Sequence, residues 1–295
     1  MRVAWFKRSS LALVLALLAG AASCAPPRTG EEGSGPLVFV SILPQRFFVQ
    51  RIAGDGVRCE VLVGPGQSPA TYEPTPRQMA GLADAELCLL IGVPFESAWK
   101  KRIADSNPDL AIVDCSAGLA APRGPIAERD PHVWLDPVLA RDLARCIHQQ
   151  LIGILPGQRS RLERGLAGLL ADLDTLDRDL ERLLEPVRGR RVLVFHPSWG
   201  YLTRRYGLEQ VAVESEGKHP GPRHMARIIA EARQAGVRSM LAQQQFSQKA
   251  ARAVADEIGA GVIAADPLAE DYLENMRRVA GILVEAAYEA PSQKR

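Results

Sequence analysis

The chain has only five histidines in 295 residues, and several familiar catalytic signatures are missing. No Gly-x-Ser-x-Gly elbow, Walker loop, dinucleotide glycine fingerprint or His-Glu-x-x-His occurs, which argues against the chemistries those motifs serve. Five cysteines are present without a CxxC pair or a compact disulfide spacing, so neither a thiol-redox motif nor a disulfide scaffold is indicated. Charge is balanced: 36 Lys and Arg against 34 Asp and Glu leave a formal +2. No basic patch marks a nucleic-acid or membrane-binding surface. The apolar run near the start is too short for a membrane span, which needs about 20 residues.

What that run does resemble is an export signal. Arg2, Lys7 and Arg8 form a positive start, Leu11 to Leu18 an apolar core, and Ala21-Ala22-Ser23-Cys24 a small-residue exit. Residues 1–24 therefore read as a signal peptide of the lipoprotein type, with Cys24 the lipidated first residue of an extracytoplasmic, membrane-anchored protein. Ala21 stands where such boxes usually carry Leu, and ordinary cleavage near Ala22 is the alternative. Residues 25–36, rich in Gly, Pro and Glu, read as a flexible tether. Loss of the three leader cations brings the mature chain close to neutral. Cys59, Cys88, Cys115 and Cys146 remain beside Cys24. Cys88 lies within an apolar run and Cys115 directly after one, so both read as buried small apolar side chains, with one disulfide left open.

From Leu37 onward, short apolar runs alternate with amphipathic stretches. Strands are expected at 37–42, 57–63, 86–91 and 111–114, and helices near 45–53, 75–83 and 95–104. This alternation is the signature of βα units around a parallel sheet covered on both faces. A helix is expected over 137–154, and a longer one over about 158–184. The longer one carries Leu162, Leu166, Leu169, Leu173, Leu176, Leu180 and Leu183 at three- and four-residue steps. Pro156-Gly157 and Pro186 punctuate its ends. The alternation then resumes, with strands at 191–195, 210–213, 239–242 and 261–264. Helices are expected near 223–235, 247–258 and 272–287, and Gly236 and Gly259 stop the first two. The fold class is thus α/β: two lobes (37–155 and 188–290), each with a mainly parallel sheet flanked by helices, joined by one long helix (156–187). A coiled-coil dimer is the other use of such a leucine face. Four heptads between α/β flanks favour packing on the chain's own lobes, and hence a monomer.

The chemistry concentrates in Asp130-Pro131-His132-Val133-Trp134-Leu135-Asp136-Pro137. His196 ends the apolar run 191–195, and Asp266 follows the run 261–265. Open α/β sheets present ligands beyond their strand carboxyl ends, and two imidazoles with a carboxylate suit a borderline divalent cation such as zinc. Each residue has a plainer role available. His132 can be a turn residue beside Trp134, His196 a strand-end residue extended by Pro197, and Asp266 a helix cap. His148 reads as a surface residue of the helix over 137–154. His219 and His224 flank Pro220-Gly221-Pro222 and read as exposed capping residues, with a place for His219 at the cleft mouth as the alternative.

Over nearly all of 37–287 the chain resembles the zinc/manganese-type substrate-binding proteins of bacterial ABC importers. The resemblance is carried by Gly64-Pro65-Gly66-Gln67-Ser68-Pro69-Ala70-Thr71-Tyr72-Glu73-Pro74-Thr75-Pro76, by the Asp130–Pro137 motif, by His196-Pro197-Ser198-Trp199-Gly200-Tyr201-Leu202, by Gln245-Phe246-Ser247 and by Asp266-Pro267-Leu268. It implies a metal held in the cleft between lobes, with His132, His196 and Asp266 matching the family's second, third and fourth ligands. A histidine at the third position leans toward zinc over manganese or ferrous iron. The first ligand does not carry over, because Ala70 stands in the histidine's place. Water, or Glu73, Gln67 or Tyr72 from the same loop, is then expected to fill that position, with Glu73 first in chemical suitability; loss of metal binding is the remaining alternative. The histidine-rich loop frequent in the family is absent from 120–129. The implied function is an extracytoplasmic, non-enzymatic receptor that delivers zinc to an ABC permease. A zinc-dependent hydrolase with an open three-ligand site and a metal-chelate receptor are the alternatives.

Overall fold

The computed structural model describes residues 35–119, 130–214 and 221–288. The export leader, Cys24, the tether up to residue 34, the segment 120–129, His219 and the side chain of His224 lie outside this description.

The first half comprises β1 (Leu37–Ile42), α1 (Leu43–Ala53), β2 (Arg58–Val63), α2 (Pro76–Ala83), β3 (Leu87–Leu90), α3 (Pro94–Ser106) and β4 (Ala111–Asp114). Its strands pair in parallel in the order β2-β1-β3-β4. Every residue of β1 and β3 is buried, as expected for central strands with helices on both faces. Gln45 ties the two central strand ends together. Its Oε1 accepts the Ser41 and Ile42 N–H groups, and its Nε2 donates to the Leu89 and Leu90 carbonyls.

α4 (Pro137–Ile154) and α5 (Arg159–Leu184) follow. The second half then repeats the first: β5 (Arg191–Val194), α6 (Gly200–Arg205), β6 (Glu209–Ala212), α7 (Pro222–Gln234), β7 (Ser239–Ala242), α8 (Gln248–Ile258), β8 (Gly261–Ala264) and α9 (Tyr272–Ala286). Its parallel sheet has the order β6-β5-β7-β8. In both sheets the direction of strand addition reverses between the two central strands. That reversal is the topological switch point where such sheets open a crevice. The short helix α6 was not anticipated from the apolar pattern; its six residues are too few to display a period.

α5 rests on α1 and α4 on one side of the molecule and on α9 on the other. Leu162, Leu169, Leu173, Leu176, Leu180 and Leu184 are fully buried, so the leucine face packs within the chain. Leu183, expected in that face, is instead exposed at 37%. At 3.6 residues per turn it sits about 60° off the line of Leu180, and Leu184 takes the buried place. Gly165 allows the close approach to α1, since a Cβ there would meet Ile52 O at 2.3 Å.

Two further expectations change. Cys115, read as a buried apolar residue with one disulfide left open, is buried and bonded to Cys146, fastening the end of β4 to α4, whereas Cys88 is buried and free. Parallel strands and a covering helix brought together two cysteines 31 residues apart, which spacing in the sequence does not reveal. His148 is half-buried rather than on the surface. Its Nε2 lacks a hydrogen-bond partner among the described residues, and burial lowers its pKa. No helix among the described residues is long and apolar enough to cross a membrane.

Candidate metal centre

The Asp130–Pro137 motif builds its own scaffold. Asp130 Oδ1 accepts the His132 backbone N–H at 3.0 Å and also lies 2.6 Å from His132 Nδ1. Val133–Leu135 then make one 3-10 turn, and Asp136 caps α4 by accepting the Val138 N–H at 2.8 Å. Asp136 is almost fully buried, and its burial raises its carboxyl pKa against the opposing pull of Arg205. Arg205 grips Asp177 of α5 through two nitrogens at 2.9 and 3.0 Å, with Asp136 3.4 Å away. The segment after His132 and the helix after His196 are therefore fastened to the same turn of α5.

His196 leaves the end of β5 and faces Glu214, which follows β6. Its Nδ1 lies 2.9 Å from Glu214 Oε2. A carboxylate only accepts, so in both pairs Nδ1 carries a proton, and in the neutral ring the lone pair is on Nε2. Burial is the largest influence on His196 and lowers its pKa; the hydrogen bond to Glu214 partly opposes this. Burial thus favours the neutral ring, the form in which an imidazole can coordinate a metal. Phe246 stacks on it at 4.3 Å.

The two imidazoles meet. Their ring centroids are 5.6 Å apart at an interplanar angle of 73°. Two rings sharing one tetrahedral zinc at the usual N–metal distance would have centroids about 5 Å apart. Residues from the histidine segments also touch directly: Tyr201 OH donates to Asp130 O at 3.3 Å, and Gly200 lies against the Asp130 carboxylate.

Asp266 sits two residues beyond β8. Its Oδ1 accepts from Gln245 Nε2 at 2.8 Å and from the Leu268 N–H at 2.9 Å, and its Oδ2 accepts from Gln244 Nε2 at 2.9 Å. Its main chain is pinned by Asn275, which donates to Asp266 O at 2.7 Å. The adjoining loop is tied to the first half of the chain. Trp134 Nε1 donates to Pro267 O, Tyr272 OH donates to Trp134 O, and Arg46 pairs with Glu270. Glu73 is exposed and makes no polar contact with either imidazole or with Asp266 among the described residues. Tyr72 turns inward to Gln78, and Gln67 folds back on the Gly64 N–H. The structure therefore pairs His132 with His196 and leaves Asp266 hydrogen-bonded to two glutamines. Among the described residues, no group of three or more His, Cys, Asp and Glu side chains is arranged to hold a metal ion.

Three participants were not singled out as site residues from the sequence. Asp130 and Glu214 orient the imidazoles, and Gln245 holds the carboxylate. Asp130 lies two residues before His132, the spacing of an Asx turn. Glu214 and Gln245 follow β6 and β7, where the strand-end rule that marked His196 and Asp266 applies equally.

Two parallel α/β halves on one connecting helix, with His196 and Asp266 just beyond strand ends, have the fold of a two-lobed substrate-binding protein. The chain belongs to the family of ZnuA, the periplasmic component A of the zinc-uptake complex, whose model matches residues 38–286. A crystal structure of ZnuA is 38% identical, superposes with a TM-score of 0.81, and is matched over 85% of this chain and 99% of that one. A ZnuA deletion mutant with zinc bound is 37% identical, with a TM-score of 0.81, over 87% of this chain and 100% of that one. The high-affinity zinc uptake system protein ZnuA of Bacillus subtilis is 25% identical over 276 residues, 86% of each chain.

Proposed function

We propose that this protein is an extracytoplasmic receptor that captures zinc and delivers it to the membrane subunit of an ABC importer, without catalysing a reaction. The observation that carries this reading is the imidazole pair, with each Nδ1 committed to a carboxylate and each Nε2 left as a donor. That carboxylate–histidine arrangement fixes tautomer and ring orientation and raises ligand basicity. His132 and His196 form the preset half of the site, because both segments are clamped to α5 and to each other. Asp266 supplies the third donor and offsets half of the cation's charge. To reach the ion it yields one of its glutamine hydrogen bonds. Zinc is the cargo, and a carboxylate ligand that retains an alternative hydrogen-bonded resting place suits capture followed by release. Acylation of Cys24 would tether the receptor beside its permease.

The test is zinc affinity by competition with a chelator. His132→Ala and His196→Ala are each expected to lose at least a hundredfold while unfolding at the wild-type temperature. Wild-type affinity in either variant would sink the reading.

A further inference from the structure

β5 and β7 lie side by side in the second sheet, and the chain beyond their ends brings His196 and Phe246 together. The two rings stack with centroids 4.3 Å apart and planes inclined by 24°. Phe246 is firmly held in that place. Its N–H donates to Gln243 O at 3.3 Å, and Gln248 Nε2 donates to the carbonyls of both Gln243 and Phe246. Ser247, the next residue, caps α8 by accepting the Ala250 N–H. The Phe246 ring packs on the second hydrophobic core and lies 6.4 Å from the Phe195 ring, inclined to it by 60°. One face of the His196 imidazole therefore rests on a ring that the core keeps in position.

The two histidines are oriented by different means. Asp130 Oδ1 takes both the main-chain N–H and Nδ1 of His132, so carboxylate, backbone and ring are fixed as one turn. The neighbouring Trp134 ring, 5.2 Å away and tilted by 55°, makes no parallel stack on it. Among the described residues, the His196 ring has one hydrogen bond, from Nδ1 to the buried Glu214 carboxylate. A single bond fixes the position of one atom and leaves the ring free to swing about it. Its plane needs a flat neighbour, and His132 meets it edge-on at 73°. Phe246 supplies the flat neighbour, in the near-parallel arrangement that stacked rings favour. We propose that Phe246 is a positioning residue for metal capture: its stack fixes the plane of the His196 imidazole and, with Glu214, sets the direction of the Nε2 lone pair. Groups that orient a ligating imidazole and shield it from water are worth about 10–100-fold in metal affinity. The inference rests on the zinc-receptor reading for its consequence, while the ring orientation itself belongs to the metal-free protein.

Two measurements test it: zinc affinity by chelator competition, and the tautomer of His196 in the metal-free protein by proton–nitrogen correlation NMR at mildly alkaline pH. Phe246→Leu keeps an apolar side chain and removes the ring, with Phe246→Met as a second ring-free variant; Phe246→Tyr keeps the ring. Both ring-free variants are expected to bind zinc at least tenfold more weakly, and Phe246→Tyr to bind within about twofold of wild type. Wild-type His196 should carry its proton on Nδ1 alone, and the form protonated on Nε2 should appear beside it in the ring-free variants. Wild-type affinity in those variants would overturn the proposal, as would an equal loss in Phe246→Tyr. A loss accompanied by an unchanged His196 tautomer would overturn it too, since the ring would then be held without Phe246. Retention of zinc by His132→Ala and His196→Ala defeats the receptor reading, whereas an unchanged tautomer, read without any metal, defeats only this inference.

Discussion

Gly200→Ala is a substitution for which fold stability and metal affinity should move in opposite directions. Gly200 opens α6, four residues after His196, without a left-handed backbone. An alanine there suits the helix and reduces the freedom of the unfolded chain, a gain of up to about 1 kcal/mol. The new Cβ, however, would lie 3.0 Å from Asp130 Oδ2, tighter than nearly all Cβ contacts, with Gln210 Nε2 at an ordinary 3.6 Å. Asp130 must give way by a few tenths of an ångström. The other oxygen of that carboxylate holds both the His132 N–H and His132 Nδ1, so the shift passes to the imidazole. A displaced outer-shell carboxylate should cost about tenfold in zinc affinity, equivalent to about 1.4 kcal/mol. Differential scanning calorimetry of the metal-free protein should show an unchanged or slightly raised Tm, while chelator competition shows the tenfold loss. Unchanged affinity would refute the link from Asp130 to zinc binding. A fall in Tm would show instead that the contact is a packing clash.

Glu96, nearly fully buried with Ile91 and Gly92 donating to its two oxygens, is pushed by desolvation from an ordinary 4.5 to about 7. Because the folded-state value is the higher one, its stabilising contribution is complete below 4.5 and is lost as pH rises through 7, by up to about 3 kcal/mol. Urea unfolding across pH 4.5–8 should show this loss in wild type and not in Glu96→Leu; parallel profiles would count against it. Leu173→Ala, at a fully buried site in α5, should cost about 2–5 kcal/mol. Leu183→Ala, on the exposed side, should stay within about 0.5 kcal/mol. Equal effects would mean the leucine face is misplaced. Replacing Cys115 and Cys146 together by serine reopens a span of 31 residues, expected to cost about 3–4 kcal/mol in denaturant titration; an unchanged midpoint would show that the bridge adds nothing.

The eight expected strands all form, several at the expected residues, and the long helix spans Arg159–Leu184. Continuous Val, Leu and Ile runs report strands buried on both faces, and three- and four-residue leucine steps report a helix face. Both are local signals that one stretch of chain carries in full. His132 and His196 were legible for a related reason, since each follows or interrupts a recognisable pattern. The helix α6 was too short to announce itself, and Leu183 was misassigned because a seven-residue pattern drifts around a 3.6-residue helix by the last turn.

By itself, then, the sequence determined the α/β alternation, the connecting helix, and two histidine motifs, one of them just beyond β5. Only the tertiary structure decided their company: Glu214 behind His196, Gln244 and Gln245 on Asp266, Arg205 clamping α5, and Cys146 bonded to Cys115. Each of those partnerships joins residues between 18 and 31 positions apart. Their meeting depends on which strands lie side by side and which helix covers them. A periodic pattern states which face of an element is buried. It does not state what that face will meet.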